Sequence, residues 1–119
     1  MVQYENILVV CIDRDNDLGR KAQVNGPVIG RQNNLNAAGK LALADPADSD
    51  VNAIFAAVKK FDEIKQYYKN IEIATFTGVS KLGFESDKKI PGQLDYVLEK
   101  FPADAFILVT DGAEDEQLL

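Results

Sequence analysis

Asn6-Ile7-Leu8-Val9-Val10-Cys11-Ile12-Asp13-Arg14-Asp15-Asn16-Asp17 is the stretch that decides how the chain is read. An unbroken apolar run from Ile7 to Ile12 passes directly into aspartates at alternate positions, Asp13, Asp15 and Asp17. A short apolar run without alternation describes a strand covered on both faces, as in a parallel sheet. In an open α/β sheet, ligands bind outside the carboxyl ends of the strands. The three aspartates therefore stand where a site is expected.

Working outward, residues from Asp13 to Gln32 show no periodicity, and turn signals accumulate at Asn16-Asp17, Gly19, Asn25-Gly26-Pro27 and Gly30. A connection of that length is unusual unless it is functional or disordered. A first helix is expected from Asn33 or Asn34 to Ala44, with Leu35, Ala38, Ala42 and Leu43 inward and Asp45-Pro46 as its stop. Ser49 reads as the cap of a second helix. There Val51, Ile54, Phe55, Val58, Phe61, Ile64 and Tyr68 recur at three- and four-residue steps, and Asn70 closes it. Ile71–Phe76 reads as a second strand. A third helix is expected near Ser86, carrying Ile90, Leu94, Val97, Leu98 and Phe101 inward, with a late start or a kink at Pro91-Gly92. Ala105–Thr110 reads as a third strand.

Strand, helices, strand, helix, strand implies right-handed parallel crossovers. The expected fold is α/β: a Rossmann-like three-layer sandwich with a small, mainly parallel sheet of about three strands, strand one central. The 119 residues suit one domain. Because the pattern stops where a fourth crossover helix is due, the chain is expected to be the N-terminal part of a longer one.

Composition narrows the function classes. Hydrophobic residues make up 46% and charged residues 27%, as in globular domains, and the net charge is −6. An acidic domain repels phosphate backbones, so nucleic acid is not an expected partner. No apolar run reaches the ~20 residues needed to cross a bilayer. Met1-Val-Gln-Tyr-Glu5 lacks the basic start of a signal peptide, so a cytoplasmic location is expected. The single cysteine, Cys11, lies in an apolar strand and reads as a small buried hydrophobe. Histidine is absent, which removes Ser-His and Cys-His nucleophile pairs and the usual zinc ligand sets.

If strands one and three are neighbours, Asp13, Asp15 and Asp17 approach Asp111, Glu114, Asp115 and Glu116 at one sheet edge. Clustered carboxylates suit a hard cation such as Mg²⁺, which often bridges to substrate phosphates. Arg14, Arg20 and Arg31 on the long loop, with Thr77 and Gly78 ending strand two, are the expected phosphate contacts. A plainer reading competes: Asp111-Gly-Ala-Glu114 has capping-box spacing, Asp13 caps a turn, and Asp15 and Asp17 pair with Arg14, Arg20 or Lys21.

Sharper motifs fail. Asp13-x-Asp15-x-Asp17 opens like an EF-hand loop, but Leu18 and Val24 replace the required glycine and glutamate. The turn after strand one lacks Gly-x-Gly-x-x-Gly, so no nicotinamide or flavin cofactor is expected. Gly26-Pro-Val-Ile-Gly-Arg31 is one residue short of a phosphate-binding P-loop and ends in arginine rather than lysine.

Several segments together resemble the archaeal domain-of-unknown-function family 373. They are Ile7–Asp17, Gly26–Arg31, Ala42–Pro46 with Asp48–Ile54, Gly83–Asp87 and Leu108–Glu116. The resemblance runs through nearly the whole chain. It implies an N-terminal soluble domain of a longer protein whose later part enters the membrane, and it brings no activity. Pro91-Gly92 departs from the helix-forming residues expected there. The expected function is binding of a divalent cation or phosphorylated small molecule at the carboxyl edge of the sheet. The alternative is a non-enzymatic regulatory or assembly domain of a membrane-associated protein. The membrane portion of the same chain and a second copy of the domain are the partners to consider.

Overall fold

A computed structural model of the chain describes residues 4–79, 84–110 and 116–118. The first strand, β1 (Asn6–Asp13), buries Ile7, Leu8, Val9, Val10 and Cys11, as its unbroken apolar run requires. It is followed by α1 (Asp17–Ala22), β2 (Val28–Ile29), α2 (Arg31–Ala44), α3 (Ser49–Ile64), β3 (Asn70–Thr77), α4 (Phe84–Lys100), β4 (Ala105–Val109) and β5 (Glu116–Leu118). The sheet has five strands in the order β2-β3-β1-β4-β5. β1 pairs in parallel with β3, Asn6 opposite Asn70, and with β4, Ile7 opposite Ala105. The two edge strands run antiparallel, β2 on β3 and β5 on β4.

The fold is therefore mixed α/β with β1 central. The sheet itself is larger than the expected three strands and mixed in direction. Both added strands are too short, at two and three residues, to show a side-chain alternation.

Helices cover both faces. On one, Leu18 of α1, Ala37, Ala38 and Leu41 of α2, and Val51, Ile54 and Val58 of α3 pack on Val9, Cys11 and Ile73. On the other, Val97 of α4 packs on Leu8, Val10, Ala74 and Phe76, with Ile90, Leu94 and Phe101 beside it. Among the described residues no helix is long and apolar enough to cross a membrane.

Several local expectations are corrected. The stretch from Asp13 to Gln32 holds α1, β2 and a cis Gly26–Pro27 bond. α1 is a six-residue helix made by two local devices, the Asp13 carboxylate and the Asn16 side chain, rather than by an apolar stripe. α2 starts at Arg31, earlier than expected, and Leu43 points away from the core at 89% exposure. Its buried face instead includes Asn34. The Asn34 amide donates to the carbonyls of Val28 (3.0 Å) and Gly30 (2.8 Å) and its oxygen accepts from the Thr75 hydroxyl (2.5 Å). Asp48, not Ser49, caps α3, because its carboxylate reaches the Asp50 amide. Phe55 is 44% exposed, and α3 ends at Ile64, so Tyr68 lies outside it. α4 continues across Pro91 with no late start.

The carboxyl ends of β1, β3 and β4 come together at one edge. Gly78 packs there against the Arg14 carbonyl so closely that a Cβ would stand 2.0 Å from its oxygen, while the Gly78 amide donates to the Asp13 carbonyl (2.8 Å). Only a residue without a side chain lets the exits of β1 and β3 approach in this way. Beside them, the Gln93 side chain of α4 completes the end of β3, accepting from the Thr77 amide (3.0 Å) and donating to the Thr77 carbonyl (2.7 Å).

Candidate functional site

Asp13 is the last residue of β1 and only 1% exposed. A buried carboxylate requires partners, and it finds them in the first amides of α1: Asp17 N–H (2.9 Å) and Leu18 N–H (2.8 Å). Asn16, in the left-handed conformation at φ 58°, turns the chain so that these amides face back to the strand end. The turn also places the Asp17 side chain beside that of Asp13.

The third carboxylate arrives from another element. Asp48 caps α3 through the Asp50 amide (2.9 Å) and places Asp50 in the first turn. Because α3 packs across β1, that turn lies over the strand end. Carboxylate oxygens of Asp13, Asp17 and Asp50 all stand within 4.8 Å of one another. Burial, and then the negative charge of Asp13, push the Asp50 carboxyl up to about 8. Asp17 is also raised, by burial and by its contact with Asp48. Three carboxyls this close cannot all ionise without a cation among them.

Lys21 neutralises the flank of the cluster and leaves its centre alone. Its ammonium bridges Asp45 (2.7 Å) and Asp48 (2.8 Å), and it stays 4.0 Å from Asp17. The two bridged carboxylates raise the ammonium's pKa. Burial opposes ionisation of Asp48, but the ammonium and the Asp50 amide outweigh it and hold Asp48 below the usual range. Arg20 pairs with the Asp17 carboxylate and reaches the Asp15 carbonyl at 3.2 Å.

A cavity of about 580 Å³ opens beside Asp50, between the ends of β1 and β4. Arg14 and Thr110 line it along with Asp50, and Ile12, Ile90 and Leu108 form its apolar wall. Among the described residues Arg14 makes no ion pair.

Of the residues expected from sequence, Asp13 and Asp17 meet, and Arg14 stands at the neighbouring cavity. The Asp15 carboxylate is not part of the three-carboxylate group. Asp111 and Glu114 lie outside the described residues. Arg31 is held in a two-pronged pair with Asp62, at 2.8 and 2.9 Å. Asp62 lies twelve residues beyond Asp50 on α3, about 18 Å along the helix axis, so Arg31 is not brought to the cluster. Thr77 and Gly78 are buried, and their amides are used within the fold by Gln93 and Asp13. The Thr77 hydroxyl is a buried oxygen with no hydrogen-bond partner among the described residues.

Asp50 is the residue that sequence reasoning missed. Its signal was present in Asp48-Ser49-Asp50, an acidic opening to the most regular helix, but that pattern reads first as capping.

Comparison with known proteins supplies the relationship. Residues 6–119 match the family described as "Domain of unknown function (DUF373)". The chain belongs to the DUF373 family. An uncharacterized protein of Archaeoglobus fulgidus is 50% identical over 112 residues, covering 94% of this chain and 33% of that protein. An uncharacterized protein of Methanocaldococcus jannaschii is 48% identical over 118 residues, covering 97% of this chain and 32% of that protein. This DUF373 chain thus spans about a third of the length of the curated relatives it matches. No solved structure matches it.

Proposed function

We propose that this DUF373 domain binds a divalent cation, Mg²⁺ or Mn²⁺, through Asp13, Asp17 and Asp50. The observation that carries the proposal is the convergence of three carboxylate oxygens within 4.8 Å from a strand end, a turn and a helix start. Oxygens around octahedral Mg²⁺ stand about 2.9 Å apart when adjacent and about 4.1 Å when opposite, given bonds of about 2.05 Å. Small side-chain adjustments bring the three aspartates to those separations. Asp13 keeps free lone pairs after accepting two amides, and Lys21 is engaged by Asp45 and Asp48 at the periphery.

The three parallel strands with helices on both faces form a Rossmann-like core. β1 connects toward β3 and β4 continues toward β5, so the crevice between β1 and β4 is the switch point at which such sheets hold ligands. A cation there supplies charge neutralisation and a bridge to phosphate oxygens.

Calorimetric titration of the domain with Mg²⁺ and Mn²⁺ tests this reading. Saturable binding that disappears in Asp50→Asn and weakens in Asp17→Asn is expected. A wild type that takes up neither ion, while remaining folded, would refute it.

A further inference from the structure

The cavity beside Asp50 does not end at the sheet edge. Its apolar wall, Ile12, Ile90 and Leu108, also lines a second trough of about 300 Å³ on the α4 face of the sheet. The rest of that trough is Val10, Phe76, Leu94 and Phe106, with no polar side chain. The reason lies in the packing: α4 lies over β3, so among the described residues the β4 side of the sheet is left partly open. Phe106 and Leu108 stay half-buried and Ile12 is 37% exposed. The two cavities adjoin along Ile12, Ile90 and Leu108, so a charged end, with Arg14 and Asp50, lies next to an end of hydrocarbon alone.

We infer that this pair of cavities seats a phosphorylated amphiphile, with its phosphate on Arg14 and the bound cation and its apolar chain along the trough beside α4. This ligand class rests on the cation site proposed above. Neither end fits a simpler ligand. A purely ionic molecule would leave the trough in water, and a purely apolar one would make no use of the Arg14 side chain, which forms no ion pair among the described residues. Asp50 and the net charge of −6 repel an anion, so the phosphate requires the cation as its bridge. Apolar walls with a few placed polar groups are the usual make-up of a small-molecule seat.

The test compares decyl phosphate, below its micelle concentration, with inorganic phosphate and decanol, in Mg²⁺ and in EDTA. Decyl phosphate in Mg²⁺ is expected to bind at least about tenfold more tightly than either fragment, since each buried methylene adds attraction. EDTA should remove most of that affinity. Arg14→Gln should weaken both phosphates, and Ile12→Gln should weaken decyl phosphate while leaving Mg²⁺ binding unchanged. Both variants alter exposed side chains, and thermal melting confirms their fold. Phosphatidic acid in phosphatidylcholine vesicles separates the two sources of the same chemistry. Co-sedimentation competed by decyl phosphate assigns the chain to a bilayer lipid, and binding of decyl phosphate alone assigns it to a soluble ester. Equal binding of decyl and inorganic phosphate overturns the inference, as does decanol matching decyl phosphate, which would mark a hydrophobic protein-contact surface. Mg²⁺ alone is titrated separately: its failure to bind counts against the cation site, whereas Mg²⁺ binding without a gain from the chain overturns the amphiphile alone.

Discussion

Replacing Asp50 with asparagine should make the metal-free domain more stable at neutral and alkaline pH. In the unfolded chain Asp50 titrates near 3.8, and in the folded domain burial and the Asp13 charge move it to about 8. Between those values the folded state holds a proton that the unfolded state has released. Stability therefore rises as pH falls through that window and declines as pH rises. Each pH unit is worth about 1.4 kcal/mol, so an isolated group shifted this far would lose about 5–6 kcal/mol across the window. Asp50 keeps part of its carboxyl in water, which screens its neighbours, so we expect about half, ~2–3 kcal/mol. Asparagine preserves the shape and the donor of the protonated acid while removing the charge. In EDTA at pH 8, Asp50→Asn should melt about 8–12 °C above the wild type, and near pH 4.5 the two should coincide. Added Mg²⁺ should close most of the gap at pH 8. Ligand at a hundred times its dissociation constant stabilises the wild type by about 2.7 kcal/mol, and the variant gains none of it. The assay is thermal and urea denaturation across pH 4.5–8.5, with EDTA and with Mg²⁺. Identical pH slopes for the two proteins in EDTA would show that the carboxylates do not crowd one another, and the reasoning would fail.

Other residues give independent checks. Asn34→Ala leaves the Val28 and Gly30 carbonyls and the Thr75 hydroxyl without their buried partner; a loss of about 2–4 kcal/mol in urea denaturation is expected. Gly26→Ala places a Cβ 2.4 Å from the Thr77 hydroxyl and 2.5 Å from the Gln93 side-chain oxygen, so overpacking should cost about 1–3 kcal/mol by the same measurement. Lys21→Met removes the cation that holds Asp48 low. Asp48 contributes stability above the unfolded value of 3.8 and loses it as pH falls through its lower folded value, so the variant's melting deficit should be largest near pH 7 and shrink toward pH 3.

The fold was largely legible in the chain because its main elements are locally overdetermined. The apolar run of β1, the three- and four-residue recurrence along α3, and the short apolar segments of β3 and β4 each state their conformation without reference to the rest. β1 follows as the central strand from the order of elements and the parallel crossovers. The edge strands and α1 were not legible. β2 is two residues held by pairing with β3, and α1 exists because Asp13 and Asn16 satisfy its first amides.

By itself, the sequence determined that a strand would deliver Asp13 to the carboxyl edge of a sheet, followed within one turn by Asp17. Only the tertiary structure decided which partners those carboxylates meet. Asp50 joins them because α3 packs across β1, and Arg31, equally plausible on paper, is tied to Asp62 at the far end of the same helix. Strand and helix periods are written in neighbouring residues. The meeting of side chains from different elements is set by how helices seat on the sheet, which depends on the whole core at once.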